Sequence, residues 1–318
     1  MKQVDYSKLN VFKSTKVMLH AADPKLAYNH ITYWLEKFQQ SNINFSILVR
    51  NINSYHKLIK EYPSEQILYA NAPIDVETIV NKQPDLKIVF YTANLAKNIH
   101  LLRFNHLTHI FIGSKNSDYL SKINKSFRAY DEIWVSSQYM IDKFKDTLKN
   151  IGHLEFKIIG KPQLKEILSR KNHKDSKFIT LVSKKGTISI SSWLDRCISY
   201  SEVLQEYKFF AKDDNTSYTA NIKRYNIEQE EDVFSKSSYF VVDRSLEFIP
   251  LLAYGVPLLM YGDPFEELKV PFASYFLDCQ ELSFSLEKVD SMDGIQEYFL
   301  GKSKTLDNAF LKALHEFI

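Results

Sequence analysis

The sequence predicts an α/β protein in which two Rossmann-like domains each carry a parallel β-sheet. Three observations favour this fold class. Short β-branched or aromatic runs alternate with amphipathic segments, the alternation restarts after Asn150-Ile151-Gly152, and 318 residues suffice for two domains of ordinary size. We therefore expect one domain at residues 1–152 and a second at residues 153–318.

The first half contains about six predicted βα units. Strands are expected at residues 16–21, 45–49, 66–69, 87–91, 109–112 and 132–135. Asp23-Pro24 opens a segment that places Ile31, Trp34 and Phe38 at helical spacing, and further helices are expected at residues 56–62, 75–82 and 138–149. This alternation is typical of a doubly wound parallel sheet.

The second half repeats the pattern. Strands are expected at residues 156–159, 178–182, 207–211, 239–242 and 257–261, and helices at residues 193–205, 245–254 and 306–317. Fold class alone says little about chemistry, because such architectures carry many reactions.

Composition excludes several functional classes. The net charge of +3 is too small, and its basic residues too interspersed with acidic ones, to predict a nucleic-acid partner. The two cysteines have no CxxC spacing, so neither a zinc site nor a disulfide framework is indicated. The first residues lack the apolar core of a signal peptide, and the longest apolar run, residues 248–261, is too short for a bilayer. We expect a cytoplasmic protein, with peripheral contact at the inner face of the cell membrane left open.

The stretch from Lys97 to Gln138 places two strand signals around a polar loop that begins at Gly113. Its parts HIFIG, SKNSD and YDEIWV resemble the CDP-glycerol glycerophosphotransferases of teichoic-acid and capsule synthesis, where HVFIG runs into HGDSDK and then into YDEIWV. Gly113, Ser117 and Asp118 match that pattern, as does Tyr130 to Val135. The resemblance implies a metal-independent GT-B glycosyltransferase architecture, with two parallel sheets facing a central cleft.

The chain departs from the family at both of the family's histidines. Ser114 stands in place of the first, and Lys212-Asp213-Asp214 stands where the family has Lys-x-His-Pro. In the family these histidines are associated with phosphodiester synthesis. The resemblance therefore indicates a divergent member whose catalytic residues are altered.

Candidate residues of the first domain follow from the rule that ligands bind outside the carboxyl ends of parallel strands. In the loop after the fifth strand, Asp118 and Ser114 are catalytic candidates, and Gly113 and Lys115 are candidates for phosphate binding. His20, at the end of the first strand, is the candidate replacement base, although a strand-end histidine capped by solvent is the simpler interpretation. Lys161 lies in a GKPQL segment similar to the family's GRPQLD. Either Lys161 binds phosphate, or the segment has only a structural role at the beginning of a helix.

Candidate residues of the second domain follow three predicted strands. The polar loop after residue 182 either binds a diphosphate or forms a solvated basic turn. The segment after residue 242 is similar to the family's D-x-SS block, although helix capping alone would explain its aspartate or serine. Asp213-Asp214 is not a spaced pair of carboxylates, so we expect no metal, and no cofactor is indicated. The nucleotide-binding candidates are Lys184, Lys185, Thr187, Lys212, Asp243, Arg244, Ser245 and Glu247.

Two functional hypotheses remain open. In one, the protein transfers a group from a nucleotide-activated donor, linked to CDP or UDP, to a polysaccharide or lipid-linked acceptor. In the other, it is a catalytically silent relative that binds a nucleotide-linked ligand or accompanies an active polymerase. The missing histidines decide between them only through their replacement. General acid–base catalysis typically raises a rate ~10²- to 10⁴-fold, so transfer would be slow unless other residues replace both groups.

Overall fold

The protein consists of two compact units. The first comprises Met1–Gln163 together with Lys304–Ile318, and the second comprises Leu164–Ser303. The computed structural model describes residues 13–114, 123–161, 177–182, 190–212, 221–225, 228–242, 249–252, 254–261, 274–276, 281–282, 298 and 306–316.

The first unit alternates strands and helices along the chain. Its strands are β1 (Val17–Ala21), β2 (Phe45–Val49), β3 (Gln66–Tyr69), β4 (Ile88–Tyr91), β5 (Thr108–Phe111), β6 (Glu132–Val135) and β7 (Glu155–Ile158). Its helices are α1 (Ala27–Gln40), α2 (Ile52–Glu61), α3 (Pro73–Asn81), α4 (Ile99–Leu102), which continues a 3₁₀ turn at Ala96–Asn98, and α5 (Gln138–Thr147).

These strands form one parallel sheet with the order β3-β2-β1-β4-β5-β6-β7. The chain moves outward from β1 to β3 and then returns to place β4 on the other side of β1. The strand order therefore reverses between β1 and β4, and in open parallel sheets such a switch point is where ligands bind.

Both faces of this sheet are covered. On one face, α1 and α2 pack Ile31, Trp34, Phe38 and Leu58 against alternate residues of the strands, including Leu19, Phe90 and Trp134. On the other face, α3 and α5 pack Val76, Ile79 and Phe144 against Met18, Val89 and Ile133. Burial on both faces explains why the strands are apolar runs without a polar alternation.

The C-terminal helix, Leu306–His315, completes the first core. Its Phe310 is fully buried, with its ring centroid 5.3 Å from those of Trp34 and Phe38 and 6.0 Å from that of Trp134. Glu316, just beyond the helix, pairs with Lys157 of β7 at 3.8 Å. The first unit extends past the expected boundary at residue 152 because β7, expected in the second domain, pairs with β6. It regains Lys304–Ile318 because the apolar face of this helix packs on the first sheet.

The second unit carries another parallel sheet. Its strands are β8 (Phe178–Val182), β9 (Lys208–Lys212), β10 (Ile222–Tyr225), β11 (Tyr239–Val242), β12 (Leu258–Tyr261) and β13 (Ser274–Phe276), in the order β10-β9-β8-β11-β12-β13. Its helices include α6 (Ile190–Tyr200), α7 (Glu202–Gln205), α8 (Glu230–Lys236) and α9 (Ile249–Leu252), and the C-terminal helix of the chain is then α10. The strand order reverses between β8 and β11.

The predicted α/β class is confirmed, and most strand positions agree within one residue. The segment 193–205, predicted as one helix, forms two, because Ser201 interrupts it and its Oγ accepts a hydrogen bond from the Leu204 amide at 3.3 Å. The strands β10 and β13 and the helix α8 were not predicted. They are short, and IKRY and SYF contain too few apolar residues to indicate a buried strand.

Cys197 corrects one expectation from composition. It lies buried on α6 and is disulfide-bonded, whereas the spacing of the cysteines indicated no disulfide. The other cysteine, Cys279, lies outside the described residues. The spacing of cysteines along a sequence does not exclude a single disulfide.

Within the part of the chain that the structure describes, none of the helices combines the length and the apolar character needed to cross a bilayer.

We predict that Phe310→Ala lowers the free energy of unfolding of the first unit by about 3–5 kcal/mol, because it removes a fully buried ring from an aromatic cluster. Urea-induced unfolding measures this change. Lys312→Ala on the exposed face of α10 is the control and should change the free energy by less than about 0.5 kcal/mol. Equal effects of the two substitutions would show that α10 does not belong to this core.

Candidate functional site

The loop that leaves β5 begins with a turn that favours glycine. Gly113 has φ 66°, a left-handed conformation that side chains other than glycine rarely adopt. Its amide donates to the carbonyl of Tyr91 at 3.2 Å, and its own carbonyl accepts from Trp34 Nε1 at 2.8 Å. These bonds fix the direction in which the chain leaves the sheet. Ser114 follows, half-buried, while Lys115 and Asp118 lie outside the described residues.

The YDEIWV segment holds neighbouring strands together. Asp131 Oδ2 accepts from the His109 amide at 2.7 Å, and the hydroxyl of buried Tyr130 accepts from Asn98 Nδ2 at 2.9 Å. Glu132 is 5% exposed and accepts from Trp134 Nε1 at 2.7 Å. Burial raises the pKa of the Glu132 carboxyl, and the bond from Trp134 opposes this effect. The residues that match the family best therefore act through packing and strand alignment.

A pocket lies at the carboxyl ends of β5, β6 and β7, entirely within the first unit. Its cavity volume is about 30 Å³. Its polar lining residues are Ser114, Ser136 and Lys161, and its walls are largely aromatic or aliphatic, with Tyr33, Trp34 and Trp134 among them. Two residues singled out separately from the sequence, Ser114 and Lys161, thus line one pocket.

Lys161 is the cation of this pocket. Gly160, with φ 68°, turns the chain after β7, and Lys161 follows at only 8% exposure. Burial lowers the pKa of its ammonium from the ordinary value of 10.5 to about 8, because desolvation penalises the charged form. At pH 7 the amine is still mostly protonated. It can therefore offset the charge of a phosphate or similar anion.

His20 lies elsewhere, in the interior of β1. Its ring is 1% exposed and its Nδ1 is 3.1 Å from the carbonyl of Leu48. Because a carbonyl only accepts, Nδ1–H donates and Nε2 keeps its lone pair, for which the described residues supply no donor. Burial, with a further contribution from Arg50, lowers its pKa to about 3. The expectation of a ring capped by solvent is wrong, since Leu48 caps it, and a role as base stays a prediction.

Arg50, which sequence reasoning missed, lies beside His20 at the end of β2. It is 4% exposed and donates to the carbonyls of Ala70 and Asn71 at 2.7 and 3.0 Å. Its Nη1 is 3.1 Å from Nδ1 of His100 on α4. A single arginine after an apolar strand belongs to no motif, so its position became evident only from the sheet order.

The nucleotide-binding candidates of the second unit lie mostly outside the described residues. This applies to Lys184, Lys185, Thr187, Asp243, Arg244, Ser245 and Glu247. Lys212 is the last residue of β9, with its side chain not described. The described strands show that the chain leaves β8 at Val182 and β11 at Val242, which are paired neighbours at the switch point. Among the described residues, no group of three or more histidine, cysteine, aspartate or glutamate side chains is arranged to hold a metal ion.

Comparison with known proteins identifies the fold. No protein-family model and no curated protein matches the chain. A UDP-N-acetylglucosamine 2-epimerase from Methanocaldococcus jannaschii is similar in structure, with a TM-score of 0.59, 10% identity, and coverage of 94% of this chain and 99% of that one.

Two further solved structures are similar. The wall teichoic acid polymerase TagF has a TM-score of 0.54 and 11% identity, with coverage of 99% of this chain and 91% of that one. HepE from Anabaena, solved in complex with UDP and glucose, has a TM-score of 0.54 and 8% identity, with coverage of 95% and 99%. At such identities the likeness shows the fold alone: the chain has the GT-B fold, with two Rossmann-like units.

Proposed function

We propose that this protein transfers a group from a nucleotide-activated donor, either CDP-glycerol or a nucleotide sugar, to a cell-surface polysaccharide or teichoic-acid-like acceptor. The observation that carries the proposal is the HIFIG and YDEIWV resemblance within a GT-B fold. Proteins of similar fold include TagF, solved after a soak with CDPG, and HepE with bound UDP and glucose. Such a protein would work in the cytoplasm or at the inner face of the membrane, where nucleotide-activated donors are available.

The donor would bind at the switch point of the second sheet. The segments after β8 and β11 begin at adjacent strand ends, and they carry lysines, hydroxyls and carboxylates. Lysine and arginine suit the diphosphate by charge-assisted hydrogen bonds, and Glu247 suits the ribose hydroxyls. Lys212, at the neighbouring end of β9, would add to the same positive potential.

The acceptor would bind on the first unit. There the pocket at the ends of β5 to β7 combines Ser114, Ser136 and Lys161 with aromatic walls. Asp118, four residues beyond Ser114 in the sequence, would supply the carboxylate that the family pattern retains. Lys161 would stabilise negative charge in the transition state, an electrostatic contribution that is often the largest one in catalysis.

A catalytically silent relative is the second candidate, and one observation favours it. Ser114 occupies the place of a family histidine, and His20 is enclosed in the core with a pKa of about 3. Serine is a poor base at neutral pH. If no other group takes the proton of the acceptor hydroxyl, the protein binds a nucleotide-linked ligand without transferring its group.

Calorimetry with CMP, CDP, UDP and GDP tests the proposal first. We expect one nucleoside diphosphate to bind more tightly than the others, because a donor site would recognise the base as well as the phosphates. Hydrolysis or transfer of the matching donor is measured next. Absence of binding to all four would contradict the donor site, and binding without turnover on suitable acceptors would favour the silent relative.

We predict that Asp118→Ala lowers the transfer or hydrolysis rate about a hundredfold or more while leaving thermal stability nearly unchanged. Asp85→Ala is a matched control, because this exposed carboxylate precedes β4 at the opposite end of the same sheet. Turnover rate and melting temperature are measured for both variants. Parallel losses of activity and stability in Asp118→Ala would indicate a structural residue.

We predict a pH dependence from Lys161. Its lowered pKa means that the charged form is present below about pH 8 and is lost above it. Affinity for a phosphate-bearing acceptor should therefore fall about tenfold more between pH 7 and 9 in the natural protein than in Lys161→Arg, which stays protonated. Lys161→Met should bind weakly at both pH values. Identical pH profiles for the natural protein and Lys161→Arg would exclude Lys161 from the binding site.

A further inference from the structure

Arg50 is a buried cation without a carboxylate in contact. It makes three hydrogen bonds, to the carbonyls of Ala70 and Asn71 and to His100, and all three partners are neutral. A guanidinium has five N–H groups, so two of them have no acceptor among the residues that the structure describes. Burial lowers the pKa of Arg50, and Asp75 opposes that effect only through space. Burying a charge in this way costs free energy unless a partner compensates for it.

His100 extends this positive region towards solvent. Arginine only donates, so Nδ1 of His100 accepts and the proton of the neutral ring lies on Nε2. The ring is half-buried, which leaves Nε2–H available as a donor. Lys97 and Arg103 flank His100 at three-residue spacing, and both contribute to lowering its pKa, after burial and Arg50.

The acidic groups around this cluster are occupied elsewhere. On α3, which packs against α4, Asp75 Oδ2 accepts from the amides of Asn71 and Ala72 at 2.9 and 2.7 Å. Glu77 pairs with Arg103 at 2.8 Å. The Arg50 guanidinium is therefore left without a direct counter-ion within the described part of the chain.

The cluster lies where a parallel sheet binds ligands. Arg50 follows β2, and His20 is the penultimate residue of the neighbouring β1, beside the switch point between β1 and β4. His20 is close enough for Arg50 and His100 to lower its pKa, and its buried Nε2 lacks a donor. A ligand that brings negative charge would meet the unsatisfied N–H groups of Arg50.

We propose that Arg50 and His100 form a binding site for an oxyanion, namely the phosphate or carboxylate group of a ligand. Two N–H groups of Arg50 donate to it, His100 holds the guanidinium in place through Nδ1, and Lys97 adds charge at the rim. This site lies on β1 to β3 and α4, apart from the pocket at β5 to β7. That the oxyanion belongs to the acceptor rests on the proposed function, but the binding of the anion does not.

Histidine NMR tests the proposal with inorganic phosphate as the probe, added at constant ionic strength. The protein contains nine histidines, and the signal of His100 is assigned by its loss in His100→Gln. We expect a saturable shift of the His100 signal and a rise of its pKa with phosphate, because a bound dianion favours the imidazolium. His56, exposed on α2, is the internal control and should show no saturable shift.

Calorimetry of variants completes the test. His100→Gln should weaken phosphate binding about tenfold, and Arg50→Lys should do the same because lysine lacks the planar fork. His56→Gln should leave the affinity unchanged. If Arg50→Lys does not fold, His100→Gln alone decides. The proposal would be overturned if the His100 signal showed no saturable shift, or if His100→Gln and His56→Gln bound phosphate with equal affinity. Arg50 and His100 would then serve only to connect β2, β3 and α4 by hydrogen bonds.

Two organic anions then identify the ligand class. Glycerol 3-phosphate and glucuronate are titrated in the same way, and preference for one over the other assigns the oxyanion to phosphate or carboxylate. Because nucleotide binding is measured separately, the two claims can fail separately. Phosphate binding at His100 in a protein that binds no nucleotide would retain the anion site and reject the proposed transferase.

Discussion

The first unit depends on one buried aromatic cluster. It contains Trp34 and Phe38 of α1, Phe90 of β4, Trp134 of β6 and Phe310 of α10. Phe310 contacts Trp34, Phe38 and Trp134, and Phe90 contacts Phe38 and Trp134, with ring centroids 5.1 to 6.0 Å apart. Phenylalanine and tryptophan bury more apolar area than other side chains, and their edge contacts add specific geometry. The cluster joins residues from the start, middle and end of the chain, so the first core is complete only when the C-terminal helix has returned to it.

The candidate site takes its shape from this cluster. Trp34 uses the indole N–H to hold the carbonyl of Gly113, and Trp134 uses its own to hold Glu132. Both indoles also line the pocket that contains Ser114 and Lys161. The same indole side chains that pack in the core therefore also fix the start of the loop after β5. On the other side of the switch point, Arg50 and His20 are buried polar groups. Their burial lowers the stability of the fold, which is common for residues of binding sites.

The sequence predicted most strands because their runs of β-branched and aromatic residues are long enough to identify. It did not predict the partner of α10: an amphipathic pattern shows that a helix needs an apolar surface, not which sheet supplies it. Ser114 and Lys161 were each predicted from a motif, and their common pocket follows from the sheet order, since β5, β6 and β7 end at one edge. Arg50 was missed because its importance lies in its contacts with Ala70, Asn71 and His100, which only the fold creates.

Native-state hydrogen exchange of the unaltered chain tests most directly whether α10 is part of the first core. Amides that open only in the global unfolding of a unit share one free energy of opening. We predict that the protected amides around Phe310 exchange with the same free energy as those of β1 and β4. Exchange at a much lower free energy, or at a free energy that matches β8 and α6 of the second unit and differs from that of β1 and β4, would contradict this account.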